Sequence, residues 1–438
     1  MTPATFQRED YPSALRAWAT VLLLFIASIA SVMDRGLLYI VVDGVKADLD
    51  ISDVQVSLLE GLAFGLFYAV MGVWLGVVAD RTSRRALIMV GITIWSFATL
   101  GAGLAGSFGA LFAARLLVGL GEAALAPAAI SLIADLFPAG KRGRAVGFYL
   151  MGQSVATGIS ILIAGGLLSA AARGYFAAWP RIATLSPWRA VFVLCGFSGI
   201  AVALAFLAPR EPVRRGAAVE KSKLGVQVST TLCHFWAERA KFVAVYLGFA
   251  VFFLGTYGAL AWQGVMISRK FGITPAAVSP VLGPMSIGFG LTGPMLAGWP
   301  VDRIVKRSGN AGILKLLAVL PFFAIPSACA VPAPTLFVVC LLTATLGGVT
   351  AMVGAATLSY LQTEAPAEMR GMAVSITGLM NTVVGAALGP VLVAMLSEYL
   401  FGDPDMVGYA ILCVAPPAYL VAAALFWRAA TANSGVSR

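Results

Sequence analysis

The chain contains about twelve stretches of roughly 20 or more mostly apolar residues, each long enough to cross the hydrocarbon core of a bilayer as a helix. They fall near residues 15–42, 52–79, 86–106, 108–137, 143–171, 188–208, 240–268, 275–301, 311–330, 334–363, 371–398 and 406–428. Such runs leave little choice of fold, because backbone in hydrocarbon has to satisfy its own hydrogen bonds and only helices or closed barrels do so. Barrel strands alternate polar and apolar residues over about ten positions, and these runs do not. The expectation is an all-α integral membrane protein with 12 transmembrane helices. Composition agrees, with 60% hydrophobic and 11% charged residues among 438 and a mean hydropathy of +0.90, where a soluble domain carries about a quarter charged residues. The first segment runs into Asp34-Arg35 rather than into a small-residue cleavage site, so it is expected to stay as a helix and not to be removed as a signal peptide.

A formal net charge of +10 raises nucleic acid as a partner, and the placement of the charge argues against it. With both termini on the inner side, most of the Lys and Arg residues fall in inner loops, which is the positive-inside bias of a multi-pass protein of the plasma (inner) membrane. The longest inner segment, 209–239, carries Arg210, Arg214, Arg215, Lys221, Lys223 and Arg239 and is expected to be a basic linker facing anionic lipid headgroups. It divides the chain into 1–208 and 240–438. The five cysteines are scattered without a CxxC pair and the single histidine, His234, lies in the linker, so neither a metal site nor a disulfide framework is expected.

The two divisions are related. GVVADRTSRR holds Gly76, Asp80, Arg81, Arg84 and Arg85, and GWPVDRIVKR holds Gly298, Asp302, Arg303, Lys306 and Arg307 at the same spacing, an offset of 222 from Gly76 to Gly298. A second pair, at an offset of 228, matches Pro138, Arg142 and Gly143 to Pro366, Arg370 and Gly371. Internal repetition of this kind marks two copies of one unit. All four motifs fall in predicted short inner loops, between helices 2 and 3, 4 and 5, 8 and 9, and 10 and 11. There an aspartate beside arginines forms charge-assisted hydrogen bonds that hold one rocking state closed and break in the other.

The GxxxDRxxRR loop, its copy and the helix-4 run RLLVGLGEA are similar to signature motifs of the major facilitator superfamily, and the resemblance covers essentially the whole chain. It implies two pseudo-symmetric six-helix bundles and rocker-switch transport by a working monomer. Asp34-Arg35 in helix 1, the helix-4 run with Arg115, Gly119, Gly121, Glu122, Pro127 and Asp135, and PWRAVF opening helix 6 resemble the spinster-like branch. In helix 7, Trp262-Gln263-Gly264 stands where many members have Trp-x-Pro.

Repetition also permits a subtraction, since residues needed only for the fold recur in both halves and a coupling site need not. Asp34 and Arg35 correspond to Thr256 and Tyr257, and Arg115 and Glu122 to Thr343 and Thr350. Together with Glu60, five charged residues therefore lie inside helices of the first half. A charge at the centre of a membrane helix is unfavourable by roughly 2.5 to 3.5 kcal/mol, and such residues face the bundle interior and pair. Asp34, Arg35, Glu60 and Arg115 are expected in one layer, with Glu122 seven residues beyond Arg115 and about 10 Å deeper. Three carboxyls against two cations leave one carboxyl over. Burial favours the neutral form of a carboxyl and a neighbouring arginine the ionised form, so a carboxyl short of a partner is suited to bind and release a proton. The expectation is that Glu122 and Asp34 are the proton-linked acids and Arg35 and Arg115 their switchable partners, with Glu60 a second-rank candidate because a later start of helix 2 would leave it near the outer water. The spinster-like resemblance implies the same coupling of proton movement to alternating access. A static ion network that only orients helices is the alternative.

Opposite this charged wall, helices 7, 8, 10 and 11 offer Tyr257, Trp262, Met285, Phe289, Met295, Met352, Tyr360, Met372, Met380 and Asn381. A charged wall facing a soft apolar wall fits an amphipathic substrate. The resemblance implies lysophospholipids or sphingoid phosphates; small organic anions or hydrophobic drugs form the second expectation. A membrane enzyme or sensor ranks last, because the chain has no catalytic Ser-His-Asp set, no metal cluster and no GxxxxGK[ST] phosphate loop. No cofactor is expected. The driving ion is H⁺, with Na⁺ as the alternative given Asp34, Glu60 and Glu122.

Overall fold

The computed structural model describes residues 11–214, 233, 235–366 and 369–435; the linker positions Arg215, Lys221, Lys223 and His234 lie outside them. Among the described residues twelve helices are long and apolar enough to cross a membrane, and none forms a strand. The helices are α1 (Ala14–Ile40), α2 (Asp53–Gly76), α3 (Arg84–Gly103), α4 (Phe108–Leu136), α5 (Gly140–Ala172) and α6 (Pro187–Ala205), then α7 (Phe242–Phe271), α8 (Pro275–Gly293), α9 (Arg307–Ala328), α10 (Leu336–Glu364), α11 (Met372–Leu400) and α12 (Pro404–Ala432). The protein is an integral, multi-pass membrane protein. Helix starts follow capping chemistry. The side-chain oxygens of Ser83, Ser107 and Thr335 accept from the N–H groups of Ala86, Ala110 and Val338, and Ser52 with Gln55 forms a full capping box ahead of α2.

Six spans precede the connection 206–241 and six follow it, so the two ends and this connection share one face, called here the termini face, and the other is the far face. The halves meet along α1–α7, α2–α11 and α5–α8. Small residues make the approach possible. A methyl on Gly61 of α2 would lie 2.4 Å from the Ala387 carbonyl oxygen of α11, and one on Gly158 of α5 would lie 2.5 Å from that of Gly283 in α8. Gly165 similarly abuts Ser279. Nearer the termini face the same helices separate: Gly72 and Gly76 of α2, Gly143 and Gly147 of α5 and Gly378 of α11 have nothing beside them within 4 Å. The cleft between the halves is therefore shut at the far face and open toward the termini face.

At the α2–α11 seam both helices depart from α geometry. Leu59–Leu66 and Asn381–Leu388 are π-helical and pack on each other. A π turn adds a residue without breaking the helix and so re-aims the side chains around it; here it carries Glu60 on one side and Gly385 on the other.

The second GxxxDRxxRR copy differs from the expected short loop. In the first copy the helix holding Asp80 ends at Arg81, Thr82 is extended, and Ser83 caps α3. In the second the helix runs on from Pro275 through Asp302 and breaks only at Gly309 (φ 55°, ψ −152°). Ser83 corresponds to Val305, which has no oxygen with which to cap, so the turn waits for Ser308-Gly309.

The seam glycines yield a prediction. Gly158→Leu has no space in the far-closed form and is expected to shift the protein toward a far-open one. Spin labels at Ala47 and Asp405, on opposite halves of the far face, should show a longer-distance population by double electron–electron resonance; a distribution like that of the parent protein would contradict the assignment.

Candidate functional site

The intramembrane charges of the first half converge. From α1 come Ser31, Asp34 and Arg35, from α2 Glu60, Phe64 and Tyr68, from α3 Thr99, and from α4 Arg115 and Glu122. Ser31 and Arg35 are one turn apart and so share a face. The Ser31 hydroxyl donates to Glu122 Oε2 at 2.7 Å and Arg35 Nε donates to the same oxygen at 2.7 Å. Arg115 pairs with Glu60 through Nη2 and donates from Nη1 to the backbone carbonyl of Asp34 at 3.3 Å. Both guanidiniums are thus spoken for, and the carboxylate with no ion-pair partner among these groups is Asp34, held instead by the Thr99 hydroxyl. Its other oxygen is buried with no hydrogen bond, as are Glu122 Oε1 and Arg115 Nε.

This differs from the expected layering in two respects. Arg35 reaches inward to Glu122, so the four shallower charges do not form one layer. Glu60 lies inside the helix as expected, since α2 begins at Asp53, and it is only 7% exposed because the π turn directs it at Arg115. Arg115 serves Glu60, not the Asp34 side chain. Gly119 and Gly121 admit neighbouring helices, since methyls there would lie 2.8 Å from the Phe64 carbonyl oxygen and 2.5 Å from that of Gly91.

Sequence reasoning missed Ser31, Thr99, Phe64 and Tyr68. The Arg35 guanidinium lies 4.9 Å from the Phe64 ring centre and 4.6 Å from that of Tyr68, a cation–π clamp. One third of the Arg35 side chain is exposed (34%) while its partner Glu122 is wholly buried, so Arg35 is the member of the cluster that borders open space. Thr99 carries one proton but has two acceptors, Asp34 Oδ2 and the Trp95 carbonyl at 2.9 Å. With Asp34 ionised the hydroxyl donates to the carboxylate. With Asp34 protonated, the acid donates to Thr99 and Thr99 to Trp95.

In the second half the corresponding positions are neutral, and the two threonines of α10 satisfy themselves, whereas the Thr256 hydroxyl is buried without a hydrogen bond. Thr343 donates to the Val339 carbonyl at 2.9 Å and Thr350 to that of Leu346 at 2.7 Å, the back-bonding habit of threonine in helices. Tyr257 accepts from Asn381 Nδ2 at 3.2 Å. Tyr257, Met285, Phe289, Met352, Met372, Met380 and Asn381 are partly exposed; the Met295 side chain lies outside the described set. Two residues expected on this wall are not on it in this conformation: Trp262 and Tyr360 are fully buried. Trp262 Nε1 donates to the Pro390 carbonyl at 3.0 Å and its ring meets Tyr39 of α1 edge-on at 5.5 Å. It belongs to the far closure because the indole has its hydrogen bond and its packing there.

At the termini face Arg84 is buried and pairs with Asp135, while its Nε donates to Glu211 Oε1 at 2.8 Å. Glu211, absent from the sequence reading, also accepts from Ser83 Oγ (2.9 Å) and from the N–H groups of Arg84 (3.1 Å) and Arg85 (2.9 Å). It is an anion on the positive end of α3. Three residues on, Arg214 donates to the carbonyls of Ala79 and Thr82, both at 2.9 Å, a cation on the negative end of the preceding helix. Arg142 Nε donates to the Phe137 carbonyl at 2.9 Å and Arg370 Nε to that of Ala365 at 3.2 Å, so the 228-residue repeat holds in geometry. Arg81, Arg303 and Arg307 are exposed; the side chains of Asp80, Asp302 and Lys306, and the surroundings of Gly298, lie outside the described set.

At the far face Arg269 of α7 ties the halves together. It donates to Asp43 at 2.8 Å and to Asp53 at 3.0 Å, and Lys46 adds a second cation to Asp53 at 2.7 Å. Glu398 of α11 accepts from the Val54 N–H at 3.2 Å, and Ser57 donates to the Pro390 carbonyl at 3.3 Å. Single-residue motifs do not reveal these partners, since every pair but Lys46–Asp53 joins residues from opposite halves.

Arg269→Gln removes the cation shared by Asp43 and Asp53 but leaves Lys46, so far closure should weaken by about 1–2 kcal/mol, roughly tenfold in the closed-to-open ratio. The Ala47–Asp405 label pair reads this directly. At the termini face, burial pushes Glu211 up, but the hydrogen bonds from Arg85, Arg84 and Ser83 outweigh it and hold the carboxyl below its ordinary value of 4.5. A depressed carboxyl contributes stability above its unfolded value, and that stability is lost as pH falls through the folded one. Thermal stability should therefore drop on acidification below about 4.5, and the drop should be smaller in Glu211→Gln; equal acid sensitivity would remove Glu211 from this role.

Comparison with known proteins agrees with this architecture. Residues 24–390 match the profile of the Major Facilitator Superfamily. The chain is 26% identical to an "MFS-type efflux pump" of Mycolicibacterium smegmatis over 94% of this chain and 92% of that protein. It is 27% identical to "Protein spinster" of Drosophila melanogaster over 67% of this chain and 47% of that one. The crystal structure of a bacterial homolog to the human lysosomal transporter Spinster, in inward-facing and unoccupied conformation, superposes with a TM-score of 0.75 at 25% identity, covering 96% of each chain. Twelve spans in two repeated halves around a one-sided charge cluster, together with these likenesses, make this chain a spinster-like member of the Major Facilitator Superfamily, a transporter and not an enzyme.

Proposed function

We propose that the protein is a proton-coupled secondary transporter that moves an amphipathic anion, of the lysophospholipid or sphingoid-phosphate kind, by rocker-switch alternating access. The observation that carries this reading is the distribution of partners in the buried cluster: two arginines are committed to Glu122 and Glu60, and Asp34 is left with a hydroxyl. A buried carboxylate without a cation is costly in a membrane, and protonation is the available relief. Glu122 is the second proton-linked acid. Neutralising it releases Arg35, which borders the cleft, to meet an anionic substrate group, and the partly exposed Met285, Phe289 and Met352 across the cleft suit an apolar tail.

In this reading the termini face the cytoplasm, as the Lys and Arg excess on that face favours. The conformation seen is then inward-open, and the protein works as a monomer in the plasma membrane with its coupling complete in the first half. The likeness to an efflux pump favours one second reading on the same machinery, a proton-coupled carrier of small organic anions or hydrophobic drugs.

The test uses purified protein in liposomes with an internal pH dye, given lysophospholipid or small aromatic acids, with an imposed pH or Na⁺ gradient. Lysolipid-dependent proton flux that falls at least tenfold in Glu122→Gln and in Asp34→Asn is the expected result. Flux with aromatic acids alone selects the second reading, flux driven by Na⁺ replaces the ion, and proton flux unchanged in both variants rejects the coupling site.

A further inference from the structure

We propose that the groove between α3 and α6, on the outer surface of the first half, holds one anionic glycerophospholipid of the termini-side leaflet. Its acyl chain lies along the groove and its phosphate at Arg85 and Arg210. The groove has a volume of about 360 Å³ and an almost wholly apolar lining that includes Val90, Ile94, Phe97, Ile200, Leu204 and Leu207. Phe97 and Leu204 are each 60% exposed, so the concavity opens to the bilayer. It is remote from the substrate cleft, which is bounded by α1, α2 and α5 against α7, α8 and α11.

Any membrane protein presents apolar surface to lipid, and most of that surface selects no headgroup. Here the chain slot and the charge coincide. Leu207 closes the termini end of the groove, and its carbonyl accepts from Arg85 Nη1 at 3.4 Å; the Pro209 carbonyl accepts from the same nitrogen at 2.7 Å. Arg85 Nε is buried without a hydrogen-bond partner. Arg210 follows Pro209 and is exposed. From Met89 to Phe97 the lining runs eight residues along α3, about 12 Å into the hydrocarbon from the first turn. A lipid with its phosphate at Arg85 therefore places its upper acyl carbons in the groove, in register with the bilayer.

The carboxylates nearby do not cancel this field. Glu211 and Asp135 are both engaged by Arg84, and Glu211 is further occupied by the Ser83 hydroxyl and the N–H groups of Arg84 and Arg85. Three arginines against two carboxylates leave net positive charge at the mouth of the groove, where a juxtamembrane cation attracts anionic headgroups. Arg85 also belongs to the clamp that ties the segment after α6 to the start of α3, so an occupying lipid brackets the same junction from the bilayer side.

The experiment is native mass spectrometry of protein exchanged into micelles containing equal phosphatidylglycerol and phosphatidylcholine. One tightly retained phosphatidylglycerol per chain is expected. Arg210→Gln, an exposed position outside the helix, and Arg85→Gln should each lower the preference for phosphatidylglycerol about fivefold. Thr93→Phe, which fills the groove from its lipid-facing side, should abolish retention of either lipid. Equal retention of the two lipids by the parent protein, an unchanged preference in both arginine variants, or a lipid still held by Thr93→Phe would each overturn the proposal.

Discussion

Charge placed in hydrocarbon has to find a partner, and the first half of this protein is organised by that need. Five ionisable side chains from three helices are closed into two ion pairs and one hydroxyl-bound carboxyl. Each would be unfavourable by several kcal/mol alone at the membrane centre. The helices α1, α2 and α4 are therefore fixed relative to one another by chemistry as well as by packing. Glycines at 119 and 121 bring α4 close enough to α2 and α3 for the short side chains to reach. The second half carries Thr256, Tyr257, Thr343 and Thr350 where Asp34, Arg35, Arg115 and Glu122 stand and needs no such closure. It is the simpler body against which the first half works.

The two membrane faces are secured differently. At the far face the contacts cross between halves: Arg269 with Asp43 and Asp53, Glu398 with the Val54 N–H, Ser57 with the Pro390 carbonyl and the Trp262 ring with Tyr39. At the termini face the clamp of Arg84, Asp135 and Glu211 lies within the first half and joins the end of α6 to the start of α3. In this far-closed conformation ion pairs between the halves hold one face, and a clamp contained in the first half holds the other. Ser57, at the far gate, and Glu60, in the charge cluster, are three residues apart on α2. The Glu60–Arg115 pair and the Ser57 contact to the Pro390 carbonyl are thus less than one helical turn apart.

Much of this was legible in the sequence because the membrane forces a simple code. The twelve spans follow from run length, and their observed bounds differ from the expected ones by a few residues at most sites, while the eighth helix runs past its expected end near 301 to the break at Gly309. The duplicated motif of Pro138, Arg142 and Gly143 survives as duplicated geometry, with Arg142 and Arg370 each bonding the carbonyl five residues back. The other duplication misled, since Val305 in place of Ser83 removes the cap and lets the helix run on to Gly309. Partner choice was not legible. Nothing in spacing says that Arg115 turns to Glu60, because a π turn, invisible to a 3.6-residue period, aims Glu60 at it. Ser31 and Thr99 looked like ordinary small residues of apolar helices, and Glu211 and Arg269 like surface charges, because their roles arise only from chain segments brought together by the fold.

The proposed coupling requires that Asp34 take up a proton inside the bundle, and infrared difference spectroscopy across a pH change observes that event without a substrate. Acidifying the parent protein should produce the carbonyl stretch of protonated, buried carboxylic acids, and Asp34→Asn should remove the Asp34 share of it and leave that of Glu122, while Asp48→Asn, at the far surface, should leave the whole band. A spectrum in which Asp34→Asn retains the full band, or in which the parent protein shows no such band, would contradict the account.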